Sequence, residues 1–216
     1  MADGMPDAMT DAMIDAAQAL PVLVQQATAF VSPGTTVTAS FSTSPTAGNI
    51  IVAVGGCPTN LLATISGGAP AWSNAARSTA YPNVEVFVGV SNGEKSVTIG
   101  LPTCTSQISL SISEWDRLSV NPVDQVNANA GLASPATAGS ITLTAAPRLL
   151  LYSVASYTPN TFGTPSDGPW SELMAIVDVV ETRTWYRVVT ASGTFAPSVS
   201  ETRHEWDATL VSLKGE

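Results

Sequence analysis

The chain has 216 residues, of which 44 % are hydrophobic and only 12 % charged, and its formal net charge is −9. That length is enough to bury one large all-β core or two small ones, with a polar surface drawn from Ser, Thr, Asn and Gln rather than from ion pairs. The acid excess, with no Lys or Arg before Arg77, excludes the clustered cations that a phosphate backbone or an anionic membrane surface needs. No apolar stretch reaches membrane-spanning length.

Residues 1–26 read as an arm. Asp3, Asp7, Asp11 and Asp15 recur at every fourth position, and Met5, Met9 and Met13 do the same two positions out of step. Two positions along a helix amount to about 200° of rotation, so acids and methionines fall on opposite faces. Pro6 suits a first helical turn and Pro21 stops the pattern, which predicts a helix from Pro6 to Leu20. Met5, Met9, Met13 and Leu20 then form an adaptable apolar face, the expected contact with a partner subunit. Asp3 and Asp7 stand where a secretory signal carries cations, so no such signal is expected.

From Ala27 onwards the period becomes two, the mark of strands. Thr36 to Ser42 places Val37, Ala39 and Phe41 on one face, and Asn49 to Val54 is a short apolar run bounded by glycine, as in a buried strand. Leu61 to Ser66, Trp72 to Ser78, Asn83 to Val90, Ser96 to Leu101 and Gln107 to Glu114 follow, with Asn92-Gly93 marking a hairpin. Residues 117–139 read as a polar connection holding a short edge strand at Val123 to Val126. The pattern then restarts: Ser140 to Thr144, the apolar run Arg148 to Val154, a Pro/Gly loop, and four more strands ending in His204 to Lys214.

The two stretches match in order, with a spacing of about a hundred residues, down to a Gly-Ala-Pro-Ala-Trp72 and an Asp-Gly-Pro-Trp170 after each apolar run. This predicts an all-β fold: an antiparallel two-sheet sandwich with jelly-roll or Greek-key connections over 27–216. It is built from pseudo-repeat halves of about 27–118 and 138–216 and preceded by a helical arm over 1–26. One interleaved sandwich is favoured over two small ones, because each half offers few strands of adequate length.

Cys57 and Cys104 close predicted strands; a bridge requires those ends to meet, and two reduced core residues is the reading taken. With a single histidine the spacing matches no metal motif, so neither metal nor cofactor is expected. His204, the one histidine, reads as a solvated strand-end residue. Glu114 and Asp116 flank Trp115, and Glu205 and Asp207 flank Trp206. Paired acids beside an aromatic are what a glycosidase or a sugar ledge uses. Residues i and i+2 of a strand share a face, however, so the simpler reading turns the acids outward and the tryptophans inward. No G-x-S-x-G elbow and no phosphate-cradling loop is present, and the chain reads as no enzyme.

The succession TAGNIIVAVGG, Trp72, NVEVFVGVSNGEKSVTIGL, ISLSISEW, NPVDQVNANAG, RLLLYSVAS, GPWSEL and HEWDATLVSLK resembles a β-sandwich module. That module is found in phage virion structural proteins of capsid-decoration or fibre type and in bacterial surface proteins. The resemblance covers Ala27 to Lys214 and supplies no catalytic residue. It implies a homo-oligomeric component of the capsid surface, made in the host cytoplasm. Its partners would be other copies of itself and capsid or other virion proteins, not nucleic acid or membrane. The alternative is a carbohydrate-binding module or adhesin that holds surface glycans with Tyr157, Phe162 and Trp170. A hydrolase built on Glu114 or Glu205 ranks third.

Overall fold

The computed structural model describes residues 19–58, 64–78, 81–101, 104, 106–203 and 205–216. The described residues are all-β, in several antiparallel sheets and with no helix. Of the expected Pro6–Leu20 helix only Ala19 and Leu20 fall within them, and neither is helical.

The first half holds β1 (Val22–Val31), β2 (Thr36–Ser40), β3 (Ile50–Cys57), β4 (Thr64–Ser66), β5 (Trp72–Arg77), β6 (Asn83–Val90), β7 (Ser96–Gly100) and β8 (Ile108–Asp116). The second holds β9 (Leu118–Gly131), β10 (Ala136–Thr137), β11 (Ile141–Leu143), β12 (Arg148–Tyr157), β13 (Ser171–Val177), β14 (Val180–Val189), β15 (Gly193–Phe195), β16 (Ser198–Val199) and β17 (Trp206–Gly215). One five-stranded sheet has the order β1-β8-β3-β6-β5; the other, read from its β9 edge, is β9-β17-β12-β14-β13, the same order strand for strand.

The match extends to irregularities. β1 shifts register around Val24 and β9 around Asp124; β5 shifts around Ala75 and β13 around Leu173. Gln25 bonds both backbone groups of Thr43, and Gln125 does the same to Thr142. The Trp72 indole donates to the Gly67 carbonyl and the Trp170 indole to that of Ser166, each at 3.0 Å. Bulges and side-chain clamps of this kind are features of one particular sheet rather than of sheets in general, so their recurrence marks a duplicated unit.

The layering differs from a single two-sheet sandwich. Each half packs one face of its five-stranded sheet on a small sheet of its own. In the first half Ile51, Ala53 and Leu110 meet Val37, Val97 and Ile99 of the three-stranded β2-β7-β4. In the second Leu150, Tyr152 and Leu210 meet Ile141, Phe195 and Val199 of the β11-β15 and β10-β16 pairs. The opposite faces of the two large sheets pack on each other, Ile50, Val52, Val86 and Trp115 against Leu149, Leu151, Val211 and Leu213. Both large sheets are therefore covered on both faces, which is why their strands read as near-continuous buried runs and not as alternation.

Three further expectations change. The polar connection is a 14-residue edge strand, β9, beginning directly after β8; its Asn and Gln residues suit a strand paired on one side only, and Pro122 is tolerated there. β6 and β7 do not form a hairpin: β6 pairs with β3 and β5, and β7 with β2 and β4, so the Asn92-Gly93 turn carries the chain from one sheet to the next. β1 begins at Val22, inside the segment read as arm.

The cysteines are bridged rather than reduced: Cys57 and Cys104 form a disulfide across 47 positions of sequence, tying the end of β3 to the approach to β8. Closing a loop of this size restricts the unfolded chain, so reduction is expected to cost about 3 kcal/mol. Urea midpoints measured with and without reductant check this, and equal midpoints would show that the bridge adds nothing.

Candidate functional site

Of the acids that bracket the tryptophans, Glu114 and Asp207 are buried, whereas Asp116 is half exposed. Glu114 is fully buried, and accepts hydrogen bonds from Gln25 Nε2 at 2.7 Å, the Thr46 amide at 2.8 Å and Asn49 Nδ2 at 2.7 Å. Three donors on one carboxylate pin the turn ahead of β3 to β1 and leave the group structural. Trp115 and Trp206 are buried, as expected, but on opposite sides of the layers: Trp115 in the central core, Trp206 in the outer core of the second half. Where both faces of the sheet are covered, as at Glu114 and Asp207, the residue beside an inward tryptophan is buried too. Glu205 is half-buried, and His204 lies outside the described residues.

Asp207 is the buried carboxyl with the most unusual surroundings. It stands on the central face of β17, accepts the Val84 amide of the facing sheet at 3.1 Å, and is faced by Ser78, with Arg77 nearby. Burial pushes its pKa up from 3.8 to about 7, against the smaller opposing pull of those partners. Around it the two sheets meet through small polar groups: Ser109 Oγ lies 3.4 Å from Thr182 Oγ1, and Gln107 clasps both backbone groups of Val180. The approach is close enough that a Cβ on Gly56 would come within 2.6 Å of Thr182 Oγ1. The carboxyl is sealed between sheets, so its chemistry is that of a joint and not of a reaction centre.

Of the aromatic residues considered for glycans, Phe162 is buried edge-on to Trp185 and Trp170 packs on the same outer core. Tyr157 packs instead on the central core and donates to the Pro58 carbonyl at 3.0 Å. The three do not form one surface. Trp170 repeats the role of Trp72 as a cover for its core. Met5, Met9 and Met13 lie outside the described residues, and Leu20 is exposed.

Sequence reasoning missed a part-apolar hollow of ligand dimensions, a groove of about 490 Å³ between the edge strands β5 and β9 where the central layer opens. Ala75, Val88, Val90, Val120 and Val123 line it, Ser73, Asn74 and Asn121 supply amide and hydroxyl groups, and Lys214 is its charged residue. Register places Leu173 and Tyr186 of the second half where the first has Ala75 and Val88. There Leu173 is buried and Tyr186 meets Trp115 edge-on at 5.2 Å, and Tyr186 also borders a second hollow of about 460 Å³ with Ser171, Arg187 and Val188. The two hollows differ in these side chains, smaller in the first half and larger in the second. Aligning the halves position by position is the signal that would have found this difference.

The fold and these surroundings define a duplicated antiparallel β protein whose buried acids are committed to holding it together. No protein-family model, no curated protein and no solved structure matches the chain.

Proposed function

We propose that this is a non-enzymatic structural protein of the virion type, a capsid decoration or head-fibre component, that works by packing against further copies of itself and other capsid proteins. The setting comes from the resemblance of its strand motifs to virion modules, with synthesis in the host cytoplasm. The strand order supports it: β1-β8-β3-β6 facing β2-β7-β4 is the connectivity of a jelly roll, a build used by capsid and lectin domains alike.

The observation that carries the assembly reading is β1. It pairs on one side only, with β8, and its ten residues include no charge and no proline. Val24 and Phe30 stand 48 % and 54 % exposed on one face. The other long edge, β9, has Pro122 and Asp124, devices that discourage edge pairing. An edge without them suits pairing with the same strand of a second copy. The full-length chain is expected to self-associate in light scattering across a dilution series, and Phe30→Glu to shift it to monomer without loss of fold. A wild-type chain that stays monomeric at the highest concentration would refute the reading. The glycan-binding alternative has less support, since Phe162 is buried and the Trp170 indole N–H is already bonded; tryptophan fluorescence against a glycan panel separates the two.

A further inference from the structure

The groove between β5 and β9 is a part-apolar hollow that the fold leaves open, with Lys214 as its charged residue. Its counterpart in the second half, a hollow of about 460 Å³ bordered by Tyr186, Arg187 and Val188, carries larger side chains, with Leu173 and Tyr186 where the first half has Ala75 and Val88. Packing in protein interiors tolerates few voids, and unfilled apolar lining forfeits dispersion contacts on its open side.

We propose that the occupant is the N-terminal segment of the same chain, the eighteen residues ahead of Ala19 (MADGMPDAMTDAMIDAAQ). Three observations meet on it. The first is reach: the Ala19 carbonyl oxygen lies 3.6 Å from where a Cβ on Gly215 would stand, and the next residue back, Lys214, lines the groove. A segment tethered this close is held at an effective concentration in the millimolar range. The second is apolar fit: Met5, Met9 and Met13 recur at fixed spacing, and flexible thioether side chains fill irregular apolar hollows well. The third is charge: Asp3, Asp7, Asp11 and Asp15 are not matched by any Lys or Arg within the segment, and Lys214 stands at the groove. The methionine face expected from the sequence to meet a partner subunit thus has a receiver on its own domain. The proposal is independent of β1 pairing, and Phe30→Glu leaves it intact.

The test places the photoreactive residue p-benzoyl-phenylalanine at Val120, which lines the groove and is 66 % exposed, in the full-length chain. Equal amounts of ordinary and ¹⁵N-labelled protein are mixed, irradiated, digested and read by mass spectrometry. The expected result is a cross-link into residues 1–18 with both peptides light or both heavy. Mixed light–heavy pairs would overturn the proposal in favour of a second copy's segment, and cross-links that avoid residues 1–18 would overturn it outright. The double variant Ala75→Leu/Val88→Tyr, which installs the larger side chains of the matching positions in the second half, is expected to abolish the cross-link. It should also speed Asp-directed proteolysis within residues 1–18 by about tenfold. An unchanged cross-link in that variant, folded as judged by its urea transition, counts against the groove. Should the variant fail to fold, the cross-link in the parent chain decides alone.

Discussion

Replacing Asp207 by Asn is expected to stabilise the protein at pH 8 and to leave it nearly unchanged at pH 4. The folded-state pKa of about 7 lies above the ordinary 3.8, so between roughly pH 4 and pH 7 the folded chain keeps a proton that the unfolded chain has released. Stability from this residue is therefore full at low pH, falls as pH rises through 7, and levels off above it. A shift of that size corresponds to a loss on the order of 4 kcal/mol. Asn cannot ionise, and its amide retains an oxygen for the Val84 N–H. Urea unfolding of both proteins at pH 4, 6 and 8 measures the difference directly, because the remaining carboxylates contribute equally to each. Parallel pH profiles would show that Asp207 is ionised at no extra cost.

Trp115→Ala is expected to cost about 4 kcal/mol, with Trp115→Phe recovering much of it. The ring is fully buried where the two halves meet, edge-on to Tyr186, and its Nε1 donates to Ser113 Oγ at 2.8 Å. Truncation opens a cavity in the central core and leaves that hydroxyl without its donor. The loss falls on the contact between halves, so the unfolding transition should also broaden as the halves uncouple. Calorimetry checks both effects, and a cost below about 1 kcal/mol would mean that the central layer is not packed as a core.

The duplication was legible because its landmarks are chemically loud: an apolar run, a Gly/Pro loop, then Trp72 or Trp170. The first strand of the second half was not. In β9 exposure does not follow residue type: Val120 and Val126 are exposed while Gln125 and Asn127 are half-buried, so polarity alone does not separate this edge strand from a loop. The direction of Glu114 and Asp207 was misread for a different reason. Alternation tells which residues share a face, but not that the second face of the sheet is covered as well. The groove left no positive mark in the pattern, since Ala75 and Val88 are ordinary strand residues that differ from Leu173 and Tyr186 only in size.

Arg117 alone connects Asp116 at the end of β8 to Leu118 at the start of β9, with φ at 62°, a left-handed conformation uncommon outside glycine. Its carbonyl also receives the Glu216 amide at 3.2 Å. So short a seam has no slack. Loops elsewhere on the surface can gain or lose residues cheaply, whereas one residue more or fewer at the seam would turn the start of β9 over, up to the register shift around Asp124. The two halves are thereby joined by a single residue, with the last amide of the chain tied back to the same point.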